Sequence, residues 1–317
     1  MRGERPPAAP DGRPVLLVLR ALGLGDLLTA IPALRALADA FPGHRRVLAC
    51  PPSLEGLALH SGAVHEVLPT EPLAPVAWRL PAVAVNLHGR GPQSHGRLLD
   101  TRPGRLIAFR SPELPETAGF PEWRLDEHEV ARWCRMLAEN GIPADPRRLR
   151  MGRRGLPQSR LARGATVVHP GAQSGARRWP PERWAEVAAA ELAAGRRVLV
   201  TAGRGESELA HRVAELAGLG PHTVREGMGI LELAGLLAGA GRVACGDTGV
   251  AHLATALGKP SVILFGPTPP ALWGPPAGGD HKVLWKGHTS NPFARRPSPG
   301  LLEIQPREVV EALSALP

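Results

Sequence analysis

Tyrosine is absent from the 317 residues, phenylalanine occurs five times and cysteine only three times. Cys50, Cys134 and Cys245 are odd in number and far apart, with no CxxC pair and no Cys/His cluster. That excludes a disulfide framework and a zinc finger, and fits reduced thiols in the cytoplasm. No RRM signature is recognisable. No apolar stretch approaches the roughly 18–20 residues of a membrane span. Lysine occurs only at 259, 282 and 286, whereas arginine is abundant and the formal charge is +9. The arginines are dispersed in short pairs, which describes a solvated basic surface rather than a nucleic-acid groove. The N-terminal Pro-, Gly- and Arg-rich stretch has no apolar signal core, so residues 1–13 are expected to be a disordered tail. The Ala-, Arg-, Gly- and Pro-heavy composition points to a high-GC bacterial source.

Several catalytic templates are missing too. Gly258-Lys259 is followed by Pro260, so there is no P-loop, and there is no GxSxG, HExxH or Asp-x-Asp. In the Gly23-Leu24-Gly25-Asp26 turn, Leu28 stands where the dinucleotide fingerprint has its third glycine, and Cys50 rather than an acid ends the second strand. A nicotinamide dinucleotide is disfavoured on both counts.

What is present is an alternation of short apolar runs and amphipathic segments. Strands are predicted over 15–19, 46–50, 64–68, 82–87 and 105–109, then over 166–169, 197–201, 242–245 and 261–265. Helices fall between them, including one from Leu27 to Phe41 that Pro32 should kink, and others over 54–60, 127–140, 181–194, 207–216, 230–240 and 251–257. Residues 291–300 are expected to be irregular. This is the pattern of an α/β chain with two doubly wound domains. The expected division is an N-terminal domain over 14–150, a linker over 151–164, a C-terminal domain over 165–304 and a last helix over 305–317.

The chemistry-bearing residues gather at predicted strand ends. Asp26 follows a strand and a Gly-x-Gly turn; it reads either as a helix cap or as a base for a hydroxyl. Gly25 allows close approach of a ligand. His169, Gly171, Ser174 and Arg178 share a loop of small residues, a hydroxyl and guanidiniums suited to a diphosphate, or else form an ordinary solvent-facing loop. Asp247, Thr248 and Gly249 open a helix whose N–H groups favour an anion, and His252 lies one turn on. Arg90, His88 and His95 are N-domain candidates for an acceptor, with ordinary loop roles as the alternative.

Taken in order, these segments resemble glycosyltransferase family 9, the heptosyltransferase family. The resemblance is carried by Arg20 to Leu34, by His169-Pro170-Gly171-Ala172 with Arg178-Trp179-Pro180, by Ile230 to Ala234, and above all by Gly246 to Ala254 with Phe265-Gly266-Pro267-Thr268. It implies a GT-B fold, two Rossmann-like domains facing across a cleft, with the last helix packing back towards the N-terminal domain. It also implies inverting transfer with no metal and no cofactor, a nucleotide diphosphate sugar such as ADP-heptose as donor, and a glycan or small-molecule hydroxyl as acceptor. Asp26 then resembles the general base, and Thr248 and Gly249 the phosphate turn beside Asp247 and His252. Arg178 resembles the diphosphate clamp, with arginine where lysine is common in the family, and Glu232 falls in the donor region. Weak peripheral membrane contact is compatible with the basic surface. Two other readings of the same fold stay open: a subunit that binds a nucleotide sugar without transferring it, and a nucleotide-sugar hydrolase or epimerase.

Overall fold

The computed structural model describes residues 12–317, so the tail expected over 1–13 lies outside the described residues as far as residue 11. The chain divides between Leu149 and Arg150 into two compact units. The first contains β1 (Val15–Leu19), α1 (Leu24–Thr29), α2 (Ile31–Ala40), β2 (Arg45–Cys50), α3 (Glu55–His60), β3 (Glu66–Pro69), β4 (Val83–Asn86), α4 (Gln93–Leu99), β5 (Arg105–Ile107) and α5 (Glu129–Glu139). Its five strands are ordered β3-β2-β1-β4-β5, and every pairing is parallel. The central strand β1 reads Val-Leu-Leu-Val-Leu and is buried throughout, as a parallel strand covered on both faces must be.

The second unit contains β6 (Thr166–His169), α6 (Pro181–Ala193), β7 (Val198–Thr201), α7 (Ser207–Leu216), β8 (Val224–Arg225), α8 (Ile230–Gly239), β9 (Arg242–Gly246), α9 (Gly249–Leu257), β10 (Ser261–Leu264), α10 (Pro270–Trp273), β11 (His281–Leu284), α11 (Pro299–Glu303) and α12 (Pro306–Ser314). Six parallel strands run β11-β10-β9-β6-β7-β8. In both sheets the first strand of the unit is central. The strand order reverses beside it, between β1 and β4 and between β6 and β9. Chain leaving the carboxyl ends of those strands diverges there, which opens a crevice.

Two expectations are corrected. The helix foreseen from Leu27 to Phe41 is two helices that meet at Ala30. Pro32 has no N–H to donate to Leu28, so the first helix ends, and the proline falls in the first turn of α2, where no donor is needed. Residues 151–164 are not a free linker. Met151 N donates to Ala256 O at 2.7 Å, Gly164 N to Gly239 O at 3.2 Å, and Leu156 and Ala162 are buried. The segment lacks periodicity because it follows the contour of the second unit instead of forming its own element. In the second unit's core α12 buries Val309 and Leu313 with Trp179, Val187 and Val262. Sequence periodicity also misses α4, β8, β11 and α11, which are short or half-polar.

Gly235 in α8 tests the docking of the 151–164 segment. A Cβ there would sit 1.9 Å from the Pro157 carbonyl oxygen, a backbone atom with little room to retreat. Gly235→Ala gains about 1 kcal/mol of helix propensity but overpacks a backbone contact, at a cost of up to about 3 kcal/mol. The expected outcome is a lowered midpoint in urea denaturation. An unchanged or raised midpoint would mean that the segment is loosely held.

Candidate functional site

The crevice of the first unit is built on a buried cation. Arg20, the residue after β1, is 1% exposed. Its Nε donates to Asp26 O at 2.9 Å, and its Nη2 donates to Asp26 Oδ1 at 3.2 Å, Thr29 Oγ1 at 3.3 Å and Glu129 Oε1 at 3.0 Å. Asp26 is the third residue of α1. Its Oδ2 accepts from Gly23 N at 3.1 Å, so the capping alternative holds for one oxygen. The carboxylate keeps 29% exposure at the crevice. Burial pushes its pKa up, the Arg20 charge opposes that, and the Glu129 charge adds to it; the net direction is upward. Gly25 lies in the same first turn.

Across the strand reversal stands the loop after β4. His88 is half-buried, and burial followed by the Arg20 charge pushes its pKa down to about 4, so it is a neutral imidazole. Its Nδ1 is buried and, among the described residues, without a hydrogen-bond partner. Arg90 is exposed on the same loop. His95 leaves the acceptor set. It is 0% exposed, its Nε2–H donates to Phe109 O at 2.6 Å, and its Nδ1 accepts from Asn86 Nδ2 at 2.7 Å. It ties α4 to the ends of β4 and β5, and burial lowers its pKa. Gly91, at φ +76°, is the residue that makes room, because a Cβ there would meet the His95 ring at 2.6 Å.

In the second unit the reversal brings His169 and the Asp247–Gly249 turn side by side, since His169 is paired with Cys245. Thr248 caps α9, its Oγ1 accepting from Val250 N at 3.3 Å, and Ala251 N donates to Thr248 O at 3.0 Å. Helix geometry turns the Thr248 and Gly249 N–H groups out of the helix mouth. Arg177 Nη1 donates to Asp247 O at 3.1 Å, and its Nε is buried and without a partner among the described residues. Asp247 is 5% exposed; burial pushes its pKa up to about 6, against the pull of Arg177. Arg178 is exposed, with Nε on Ala172 O at 2.7 Å and Nη2 at 3.9 Å from Glu206 Oε1. The site therefore holds two guanidiniums in different settings: one seated against the helix turn, one exposed at the rim.

Glu206 was not foreseen. It follows β7, its Oε2 accepts from Gly203 N at 2.9 Å, and it stands 3.8 Å from His169 Nε2. A Cβ on Gly171 would lie 1.9 Å from Glu206 Oε2, so glycine at 171 is what admits this carboxylate. His169 Nδ1–H donates to Thr201 Oγ1 at 3.0 Å; burial lowers the imidazole pKa against the raising effect of Glu206. The available signal was an acidic residue just past the second strand of a Rossmann-like unit. Arg20 and Glu129 were also missed as site residues, although a charge at the end of an apolar strand run is a visible cue.

Three further candidates have structural employment. Ser174 is buried; its hydroxyl caps the 175–177 turn and donates to Ala294 O at 3.1 Å, so it fastens the 291–298 loop instead of offering itself to a phosphate. Glu232 is exposed and caps α8 through Gly229 N at 2.8 Å. His252 stands edge-on to Trp273 with centroids 5.8 Å apart. A surface cavity of about 690 Å³ lined by Trp78, Arg79, Arg97 and Arg102 lies at the amino end of β4 and β5, away from the first unit's crevice.

Two parallel doubly wound sheets with such crevices define an α/β protein of the GT-B fold. The chain belongs to glycosyltransferase family 9 (heptosyltransferase): that family's profile matches residues 106–299, more than half of the chain and all the second-unit candidates. Lipopolysaccharide heptosyltransferase 1 of Escherichia coli K12 is 34% identical over 140 residues, 44% of this chain and 40% of that relative. The match thus spans less than half of the relative's length. The glycosyltransferase family 9 crystal structure from Veillonella parvula superposes with a TM-score of 0.78 at 20% identity, covering 95% of this chain and 96% of its own. E. coli ADP-heptose lps heptosyltransferase II gives 0.75 at 17% identity, covering 95% and 98%. Both share the fold. Among the described residues, no helix is long and apolar enough to cross a membrane.

Asp247 gives a pH test. Its native pKa of about 6 exceeds its ordinary 3.8, so the stability it contributes is complete below about 3.8 and lost as pH rises through about 6. Asp247→Asn cannot ionise. It should exceed the wild type in unfolding free energy at pH 7.5 by on the order of 3 kcal/mol, and the gap should close by pH 4. Parallel denaturation curves with no such gap would place the Asp247 carboxylate in a better-solvated setting.

Proposed function

We propose that this protein is an inverting, metal-independent glycosyltransferase that moves a heptose-like sugar from ADP-heptose to a hydroxyl of a glycan or small molecule. The observation that carries this reading is Asp26: a half-exposed carboxylate, raised in pKa, at the strand reversal of one unit, in a chain whose other unit turns cations and helix amides towards its own reversal. The name of the E. coli relative heptosyltransferase II supplies the donor.

The chemistry needs one displacement. Asp26 takes the proton as the acceptor oxygen forms a bond to the anomeric carbon. The bond from that carbon to the diphosphate breaks, and the leaving group carries the electron pair. Arg178, Arg177 and the Thr248 and Gly249 amides, aided by the α9 dipole, stabilise the growing negative charge. These guanidiniums and amides take the part that a divalent cation plays in other transferases. Gly171 and His169 shape the donor loop, with Asp247 beneath it. Glu206, past the end of the second strand, suits the hydroxyls of the donor's ribose. Arg90 and the neutral His88 line the acceptor side. Work in the cytoplasm, with weak contact of the basic surface to an anionic membrane, belongs to the same reading.

Calorimetry and product analysis with ADP and ADP-heptose test it. Asp26→Asn should bind ADP like wild type and release no ADP from ADP-heptose in the presence of heptose-deficient lipopolysaccharide; undiminished turnover would remove Asp26 from the base role. Arg178→Ala should weaken ADP binding by about 1.5–3 kcal/mol, and equal affinity would refute the clamp. EDTA should leave turnover intact, while a loss restored by Mg²⁺ would contradict the metal-free step.

A further inference from the structure

Arg20 makes more contacts than an ordinary buried ion pair requires. Besides the bonds to Asp26, Thr29 and Glu129, its Nη1 donates to Leu87 O, and the guanidinium lies over the Trp133 ring, 4.8 Å from the centroid. Trp133 Nε1 donates to Glu129 Oε1 at 2.8 Å, the same oxygen that receives Arg20. The other Glu129 oxygen pairs with Arg132, whose guanidinium lies over Trp123. Glu129 opens α5, 109 residues beyond Arg20 in the chain. Glu129 thus divides one negative charge between Arg20 and Arg132. Arg20 also reaches Asp26, and Gly23 N holds the other Asp26 oxygen.

We propose that Arg20 is a positioning residue: anchored by Glu129 and Trp133, it aims the Asp26 carboxylate and divides one positive charge between two carboxylates. The proposal rests on Asp26 acting as the base. A guanidinium facing Asp26 alone would hold it firmly ionised and make it a poor proton acceptor. Glu129 prevents this by drawing on the same cation; Glu129 itself stays ionised because Arg20 and Arg132 outweigh its burial. The groups that act on Asp26 are Arg20, Glu129, Gly23 N and its own backbone N–H; His88, beside Arg20, is uncharged, and Arg132 is turned to Glu129. The carboxylate is thereby fixed in direction without being quenched.

The test is nuclear magnetic resonance on the full chain, following the Asp26 carboxyl carbon and the Arg20 guanidinium nitrogens from pH 3 to pH 8. The Arg20 signals should shift with the Asp26 midpoint and stop doing so in Asp26→Asn. Glu129→Gln removes a like charge and leaves Arg20 to Asp26 alone, so the Asp26 midpoint should fall, and with it the acid limb of the pH–rate profile. Arg20→Lys keeps the charge but loses the fork, and should lower kcat roughly 10²-fold while ADP affinity stays within about twofold. Arg20 signals that ignore the Asp26 titration, or an Asp26 midpoint unmoved in Glu129→Gln, would overturn the proposal. So would an Arg20→Lys loss of amplitude equal at every pH with ADP binding lost alongside. Should Glu129→Gln fail to fold, the titration of the unmutated chain decides. Absence of ADP binding by the unmutated chain would instead overturn the transfer reading and leave the titration result standing.

Discussion

Every strand pair in both sheets is parallel, and this constraint governs the rest. Parallel strands need crossovers, crossovers cover both faces, and only the strand ends remain open for chemistry. Carboxyl ends all lie on one edge of a sheet, so loops that leave them share a rim. Where the order reverses, neighbouring loops part. Arg20, Asp26, His88 and Arg90 follow β1 and β4 at one such parting; His169, Glu206, Arg177 and Asp247 to Gly249 follow β6, β7 and β9 at the other. The residues are scattered in sequence and gathered by topology.

Helix starts compete with chemistry for the same polar groups. Each α-helix begins with orphan N–H groups, and Asp26, Thr248 and Glu232 all answer that need. What distinguishes them is what remains after capping. Glu232 has one oxygen on its cap and no cation against the other, out in solvent. Asp26 caps with Oδ2 and presents Oδ1 to a buried guanidinium, which fixes it in the crevice. Thr248 Oγ1 accepts from Val250 N, and the turn it stabilises aims two amides outward. Capping and ligand handling are thus compatible at Asp26 and Thr248, and the choice posed by sequence between cap and function was not exclusive.

The sheets were legible because buried parallel strands write themselves as short apolar runs. β1, β6 and β10 are such runs, and helices such as α7 carry clear periodicity. β11 was hidden because an edge strand, His-Lys-Val-Leu, need not be apolar. The 151–164 segment was hidden because it is held by backbone hydrogen bonds, which leave no side-chain pattern. Among candidate site residues, Asp26, His169 and Thr248 stand out in the sequence because they fall at strand–helix turns. Ser174 and His95 misled because a hydroxyl or imidazole near a predicted site looks the same whether it holds a ligand or a neighbouring loop. Glu129 was invisible because its importance comes from a partner 109 residues away in sequence, Arg20; Glu206 carried only its place just past a strand, its partner His169 lying 37 residues away.

The two crevices are electrostatic opposites, and that contrast is the strongest physical argument that they serve different halves of one reaction. In the first unit the Arg20 guanidinium is sealed beneath the surface and shared by two carboxylates, while the imidazole beside it is kept neutral. What faces outward is the Asp26 carboxylate, with Arg90 exposed on the neighbouring loop. In the second unit a carboxylate, Asp247, is the sealed group and is raised to about 6, while Arg178 is exposed and the α9 mouth points its amides outward. What faces outward there is a receiver of negative charge. A site that merely bound a nucleotide sugar would need only the second arrangement. Retaining the first has a cost, because a half-buried carboxylate raised in pKa opposes folding at neutral pH. A group that lowers stability and is nonetheless held by a buried arginine fits the proposed role of Asp26 as proton acceptor.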